Sequence, residues 1–154
     1  MQVRPVVLDR FLDAQHPIYQ GVLAELEAGQ KQTHWMWFVF PQLAGLGSSS
    51  TSQRYSIVSL EEARRYLAHP LLGARLIECC HVLLGLPRDR TAAQVLGHVD
   101  AMKLQSSMTL FARADPGNHV FEQVLNRFYA GATDARTEAL LPEAHRLRGP
   151  HSLG

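Results

Sequence analysis

Lysine is nearly absent from this chain: Lys31 and Lys103 are the only two, beside thirteen arginines. Against so strong a background of arginine, those two positions stand out as places that need a compact ammonium on a flexible stem rather than a planar fork. Cysteine is equally scarce. Cys79 and Cys80 are adjacent, and neighbours on a helix point about 100° apart, so no bridge between them is expected and both should be buried, reduced thiols. No run of like charge occurs and the formal net charge is +1, which argues against nucleic acid or an acidic membrane as the main partner. No apolar run approaches membrane-spanning length, and Met1 to Arg10 lacks the basic-then-apolar order of a signal peptide, so a soluble, cytoplasmic protein is expected. Metal chemistry lacks its motifs, since no two histidines fall at i, i+3 or i, i+4 and the adjacent cysteines have no zinc-knuckle gap; no metal or other cofactor is implied. Ser106 and Ser107 do not sit in a Gly-x-Ser-x-Gly elbow. Gly45-Leu46-Gly47 has neither the lysine nor the preceding strand of a phosphate loop.

What the chain does have is one dense aromatic segment. Thr33 to Gln42 holds both tryptophans and two of the six phenylalanines. Large aromatics remove the most area from water per residue, so this segment should cross the centre of the domain. With 154 residues and 46% apolar content, the chain fits one domain, placed at residues 6–141, with 142–154 as a disordered tail.

Helical signals recur along it. Asp9 is expected to cap a short helix ended by His16-Pro17, and Ile18, Val22 and Leu26 mark a second helix stopped by Gly29. Thr33 and Pro41 bracket the aromatic segment as cap and stop, so it is read as a helix over 33–40. Residues 45–56 read as an open loop of the kind that forms lids or binding sites. Ser59 with Glu62 forms a capping box for a helix from Leu60 to Ala68, and Pro70 suits the first turn of the next, whose core stripe runs Leu72, Leu76, Cys79, Leu83 and Leu86. Thr91 caps a short helix stopped by Gly97, and Asp100 is expected to cap another that stacks Leu104, Met108 and Phe111. Asn118 opens an amphipathic helix closed by Gly131, and Asp134 caps a last turn or two. The sum is an all-α fold, a single compact domain of about seven short helices packed orthogonally.

Several stretches carry a family resemblance: His34-Trp35-Met36-Trp37-Phe38 with Phe40-Pro41-Gln42-Leu43, Gly45-Leu46-Gly47, Tyr66-Leu67 with His69-Pro70, and Lys103-Leu104 with Ser106-Ser107-Met108-Thr109-Leu110-Phe111. The chain resembles the DUF1810 family of uncharacterised proteins over nearly its whole length. The resemblance implies a mainly α-helical fold and no particular activity.

The site residues must therefore come from chemistry. Lys103, Ser106, Ser107 and Leu110 share a helix stripe, putting a surface cation and two hydroxyls where an anion could bind, near a helix N-terminus. Trp35 or Trp37 could form a wall for a flat ring, with His34 and Gln42 at its edge. Two readings follow. In the first, the protein binds or processes a phosphate-bearing aromatic ligand, a nucleotide or an ADP-ribose derivative, and, if an enzyme, is a hydrolase: Trp35, Trp37 and Gln42 hold the ring, Lys31, Lys103, Ser106 and Ser107 hold the anion, and His34 or Asp100 moves a proton. A small all-α pocket of this kind is similar, in fold class alone and without a shared motif, to NADAR-type enzymes that process ADP-ribose. In the second, the aromatics are only core and a face near Ser48 to Ser52 meets another protein. The oligomeric state is not legible. A cleft containing both Lys103 and His34 would favour the first reading.

Overall fold

Short amphipathic segments broken by His-Pro and Gly can only bury their apolar stripes by packing several together at steep angles. In a computed structural model, which describes residues 8–141, they do so in ten helices: α1 (Asp9–Gln15), α2 (Tyr19–Glu27), α3 (Met36–Val39), α4 (Ser50–Arg54), α5 (Leu60–Ala68), α6 (Leu72–Leu84), α7 (Ala92–Leu96), α8 (His98–Ala114), α9 (Val120–Tyr129) and α10 (Ala135–Leu140). That is more than the about seven expected, and α4 falls in the segment read as an open loop. The expected tail, 142–154, lies outside the described residues. The one sheet-like contact among them is an isolated parallel bridge between Leu43 and Ile57. No single described helix is long and apolar enough to cross a membrane.

The longest helix, α8, is the central post, packed by α5, α7, α9 and α10. Leu104, Met108 and Phe111 are fully buried along its expected stripe, and every residue from Ser106 to Phe111 is buried, so the helix is enclosed over that stretch before Ala112 and Arg113 return part-way to solvent. Its buried hydroxyls adapt by bonding back one turn: Ser106 Oγ donates to the Met102 carbonyl at 3.2 Å and Thr109 Oγ1 to that of Gln105 at 2.8 Å. An aromatic chain ties the layers together, Phe11 edge-on to Tyr66 at 5.1 Å, Tyr66 to Phe111 at 5.5 Å and Phe111 to Phe121 at 5.7 Å. Cys79 and Cys80 are free and fully buried. Burial pushes the Cys79 thiol up to about 12, which disqualifies it as a nucleophile.

Several expected boundaries move, each for a local reason. The aromatic segment is helical only over Met36–Val39, because the Thr33 amide and hydroxyl bond the Glu25 carboxylate instead of capping a helix. Asp100 does not cap α8: Gly97, at φ 88°, both closes α7 and opens α8 at His98, leaving Asp100 inside the first turn. Asp9 likewise falls inside α1, behind Leu8. Ser59 does cap α5, but the Glu62 carboxylate reaches the Val58 amide rather than that of Ser59. The segment 45–56 is not an open loop, since Ser49 caps α4 and the Ile57 and Ala44 amides close its base by bonding the carbonyls of Gln42 and Ile57. After Pro70 the chain makes one more turn before α6, with His69 Nδ1 accepting from the Leu71 and Leu72 amides.

α5 and α6 meet at 87°, and the corner depends on one close approach. A Cβ at Gly73 would lie 2.0 Å from the Leu67 carbonyl oxygen, a backbone atom that cannot swing aside. Gly73→Ala should therefore force the two helices apart and lower unfolding free energy by about 1 to 3 kcal/mol, the usual cost of overpacking. Urea denaturation followed by circular dichroism reads this directly; an unchanged midpoint would mean that the corner is compliant.

Candidate functional site

The chain's two lysines meet on one carboxylate. Asp100, in the first turn of α8, receives Lys31 Nζ at 2.9 Å on Oδ2 and Lys103 Nζ at 3.5 Å on Oδ1. Lys31 comes from the strap after α2, where its own amide donates to the Val95 carbonyl at 2.7 Å, and only 7% of its side chain is exposed. Each ammonium also lies over one of the two tryptophans, Lys31 at 5.1 Å from the Trp35 ring centre and Lys103 at 4.6 Å from that of Trp37. Cations over indole faces are attracted by the ring quadrupole, more so where water is excluded. Asp100 sets one negative charge against the two ammoniums, and the carboxylate of Glu25, bonded to the Trp35 indole on the Lys31 side, supplies a second, so the four groups balance.

Glu25 on α2 builds the floor. It accepts from the amides of Gln32 and Thr33, the Thr33 hydroxyl and, at 2.9 Å, the Trp35 indole. Burial of the carboxyl opposes its ionisation, but these four donors prevail and hold it at about 2. Trp35 is thereby fixed at 2% exposure, with its one polar atom committed.

Lys103 faces outward from this cluster into a groove of about 390 Å³. The α8 side contributes Val99, Met102, Lys103 and Ser106; the facing side is Trp37, Gln42 and the hydroxyl-rich turn entering α4, including Ser48, Ser49 and Ser52; Arg136 of α10 and its N-cap carboxylate Asp134 also line it. Arg136 is exposed and donates to the Leu46 carbonyl at 3.2 Å, and among the described residues no carboxylate pairs with it. A second cavity, about 440 Å³ between α8 and α9, contains Arg113, whose guanidinium is taken up by Glu138 through two bonds of 2.9 and 2.7 Å. Its cation is already neutralised, so the first groove is the better anion site.

Of the residues singled out in the sequence, the structure gathers Trp37, Gln42, Lys103 and Ser106 on this groove, with Lys31 and Asp100 directly behind. The others lie elsewhere. Trp35 is core rather than pocket wall. Ser107 is fully buried, and its hydroxyl has no hydrogen-bond partner, so it lines no surface. His34 is exposed on the bend beyond the Glu25-bound turn and lines neither cavity. With both oxygens on ammoniums, Asp100 acts as a fixed counter-ion and not as a proton donor. Lys103 is not the free surface cation expected, because its side chain is 23% exposed and shared between Asp100 and Trp37. Sequence reasoning missed Val99, Met102 and Arg136. The first two are apolar positions on the side of α8 away from the Leu104 stripe, a detectable oddity; Arg136 reaches the groove only through tertiary structure. Among the described residues no three His, Cys, Asp or Glu side chains converge on a metal-sized site.

The comparisons with known proteins agree on kinship and leave activity open. A family model described as "Protein of unknown function (DUF1810)" matches residues 5–141. The crystal structure of the conserved hypothetical protein Rv1873 from Mycobacterium tuberculosis is similar to this chain at 52% identity and a TM-score of 0.87, covering 90% of this chain and 99% of that one. No curated protein matches.

Two outcomes test the cluster. The Glu25 carboxyl is depressed from the ordinary 4.5 to about 2, so the stability it contributes is fully present above pH 4.5 and lost as pH falls toward 2. The gap in melting temperature between the wild type and Glu25→Gln should close across that window, while the Trp35 indole N–H resonance titrates with a midpoint near the lower end. Ser107→Ala, which removes an unpartnered buried hydroxyl, should raise stability by about 1 kcal/mol, read by thermal melting; a loss would show that the hydroxyl is satisfied after all.

Proposed function

The chain belongs to the DUF1810 family of proteins of unknown function, and from that premise we propose, on its own geometry, that the groove between α8 and the α4 turn binds a phosphate-bearing aromatic ligand of the nucleotide or ADP-ribose kind. The observation that carries this reading is a loosely held ammonium: Lys103 lines the groove and reaches, at 3.5 Å, a carboxylate that Lys31 already engages at 2.9 Å. In a partly dehydrated setting less water competes for such a cation than for a surface lysine. Arg136 at the groove's end adds a planar donor suited to two phosphate oxygens. The hydroxyls of Ser48, Ser49, Ser52 and Ser106 supply neutral partners around the same volume. The reading is one of binding. Hydrolysis needs a base beside the ligand, and His34 stands outside the groove while Asp100 is engaged by both lysines.

Lys103→Ala tests it cleanly. Asp100 keeps Lys31 in that variant, so no charge is left unpaired, and the loss of stability should stay within about 1 to 2 kcal/mol, the sum of a partly exposed ion pair and a cation–π contact. Affinity for AMP in isothermal titration calorimetry should fall at least tenfold, from the loss of a charge-assisted contact worth about 1.5 to 3 kcal/mol. AMP should also perturb tryptophan emission, and Trp37→Phe should remove that response because Trp35 is sealed in the core. The absence of both heat and emission change across nucleotides and sugar phosphates would reject the reading.

A further inference from the structure

We infer that the aromatic base of the ligand lies on Val99 and Met102, and that the site therefore takes a compact monophosphate with one base, such as a nucleoside monophosphate, in preference to inorganic phosphate or a two-phosphate compound of ADP-ribose size. The inference rests on the reading above and narrows it.

The tryptophans are not free to stack a ring. Trp35 is buried, and the Lys103 ammonium already occupies a face of Trp37. The groove nevertheless has an apolar wall. Val99 and Met102 are 65% and 64% exposed, among the few large apolar side chains of the described residues that face solvent to that degree. A single exposed apolar side chain is ordinary. These two stand three residues apart on one helical face, line the same concavity, and flank the cation that would hold the phosphate. A methionine is unbranched and polarisable and can lie against a flat ring, while valine offers a rigid edge beside it. Polarity thus divides the groove: Val99 and Met102 form its apolar wall, Lys103 and Ser106 follow, and beyond them Arg136 stands beside the Asp134 carboxylate, one oxygen of which is taken up by the Thr137 amide and hydroxyl. That order matches a ligand with a ring at one end and a phosphate at the other.

Dimensions set the limit. From Val99 to Ser106 the helix rises roughly 10 Å, at 1.5 Å per residue. A volume of about 390 Å³ sits near the lower end of the range of ligand pockets, roughly 300 to 1,000 Å³. One ring, one sugar and one phosphate suit that space, and a second sugar-phosphate unit would project into solvent.

The test is calorimetry with AMP, ADP-ribose, ribose 5-phosphate and inorganic phosphate on the full chain, the double variant Val99→Thr/Met102→Gln, and Lys103→Ala. Both substituted side chains in the double variant are exposed and close in size to their replacements, so its melting curve should overlay the wild type. AMP is expected to bind at least tenfold more tightly than ribose 5-phosphate or inorganic phosphate. The double variant should lose about tenfold for AMP and nothing for the two ligands without a base, whereas Lys103→Ala loses for all of them. If the double variant binds AMP as the wild type does while Lys103→Ala does not, the ring lies elsewhere and this inference falls while the anion site stands. Tighter binding of ADP-ribose than AMP overturns the size limit. Equal binding of every ligand by wild type and Lys103→Ala removes the anion site itself, and this inference with it.

Discussion

The architecture depends on a carboxylate that serves two ammoniums. Lys31 has almost no contact with water, and a charge so placed costs several kcal/mol unless an opposite charge and good geometry compensate it. Asp100 provides that compensation at 2.9 Å. The pair thereby fastens the strap between α2 and α3 to the start of α8, two parts of the chain about seventy positions apart that share no other ion pair among the described residues. Lys103 then takes the remaining oxygen at 3.5 Å, a looser contact with a partner already committed elsewhere. This asymmetry separates the two lysines by role: one is structural, and the other is available.

Glu25 stands one step behind that arrangement. Four donors on one carboxylate fix the turn from Gln32 to Trp35, and the turn fixes the indole over which Lys31 lies. Trp35 and Lys31 are thereby ordered during folding, behind the Asp100 carboxylate that Lys103 shares.

The sequence reported the parts of this assembly better than their arrangement. Scarcity of lysine pointed to Lys31 and Lys103, and the helix stripe placed Ser106 beside the second of them, all from local information. The caps at Ser59, Thr91 and Asp134 were legible because a hydroxyl or carboxylate three residues before its amide has few competing partners. Thr33 and Asp100 followed the same local rule and took other roles, since Glu25 for one and the lysines for the other offered stronger, charge-assisted partners from distant segments. The same limit explains the tryptophans: their spacing says that they are large and close together, but not which is sealed by Glu25 and which is left beneath Lys103. Arg136 had no local signal at all, because its relation to Leu46 exists only once α10 folds against the α4 turn.

Helix α8 shows how the groove and the core constrain each other. Its first two turns hold exposed apolar side chains, a carboxylate and a cation, and residues 106–111 are enclosed, so the transition falls at Ser106 and Ser107. Ser106 remains at the groove because its hydroxyl can return to the Met102 carbonyl. Ser107, turned about 100° around the same helix, enters the core with no partner, a desolvation cost of about 1 to 3 kcal/mol. Alanine would fill that position at no such cost. A fold that places unsatisfied polarity one turn from a lysine held only at 3.5 Å is less stable than its packing allows, and the imbalance falls on the segment that joins the groove to the core.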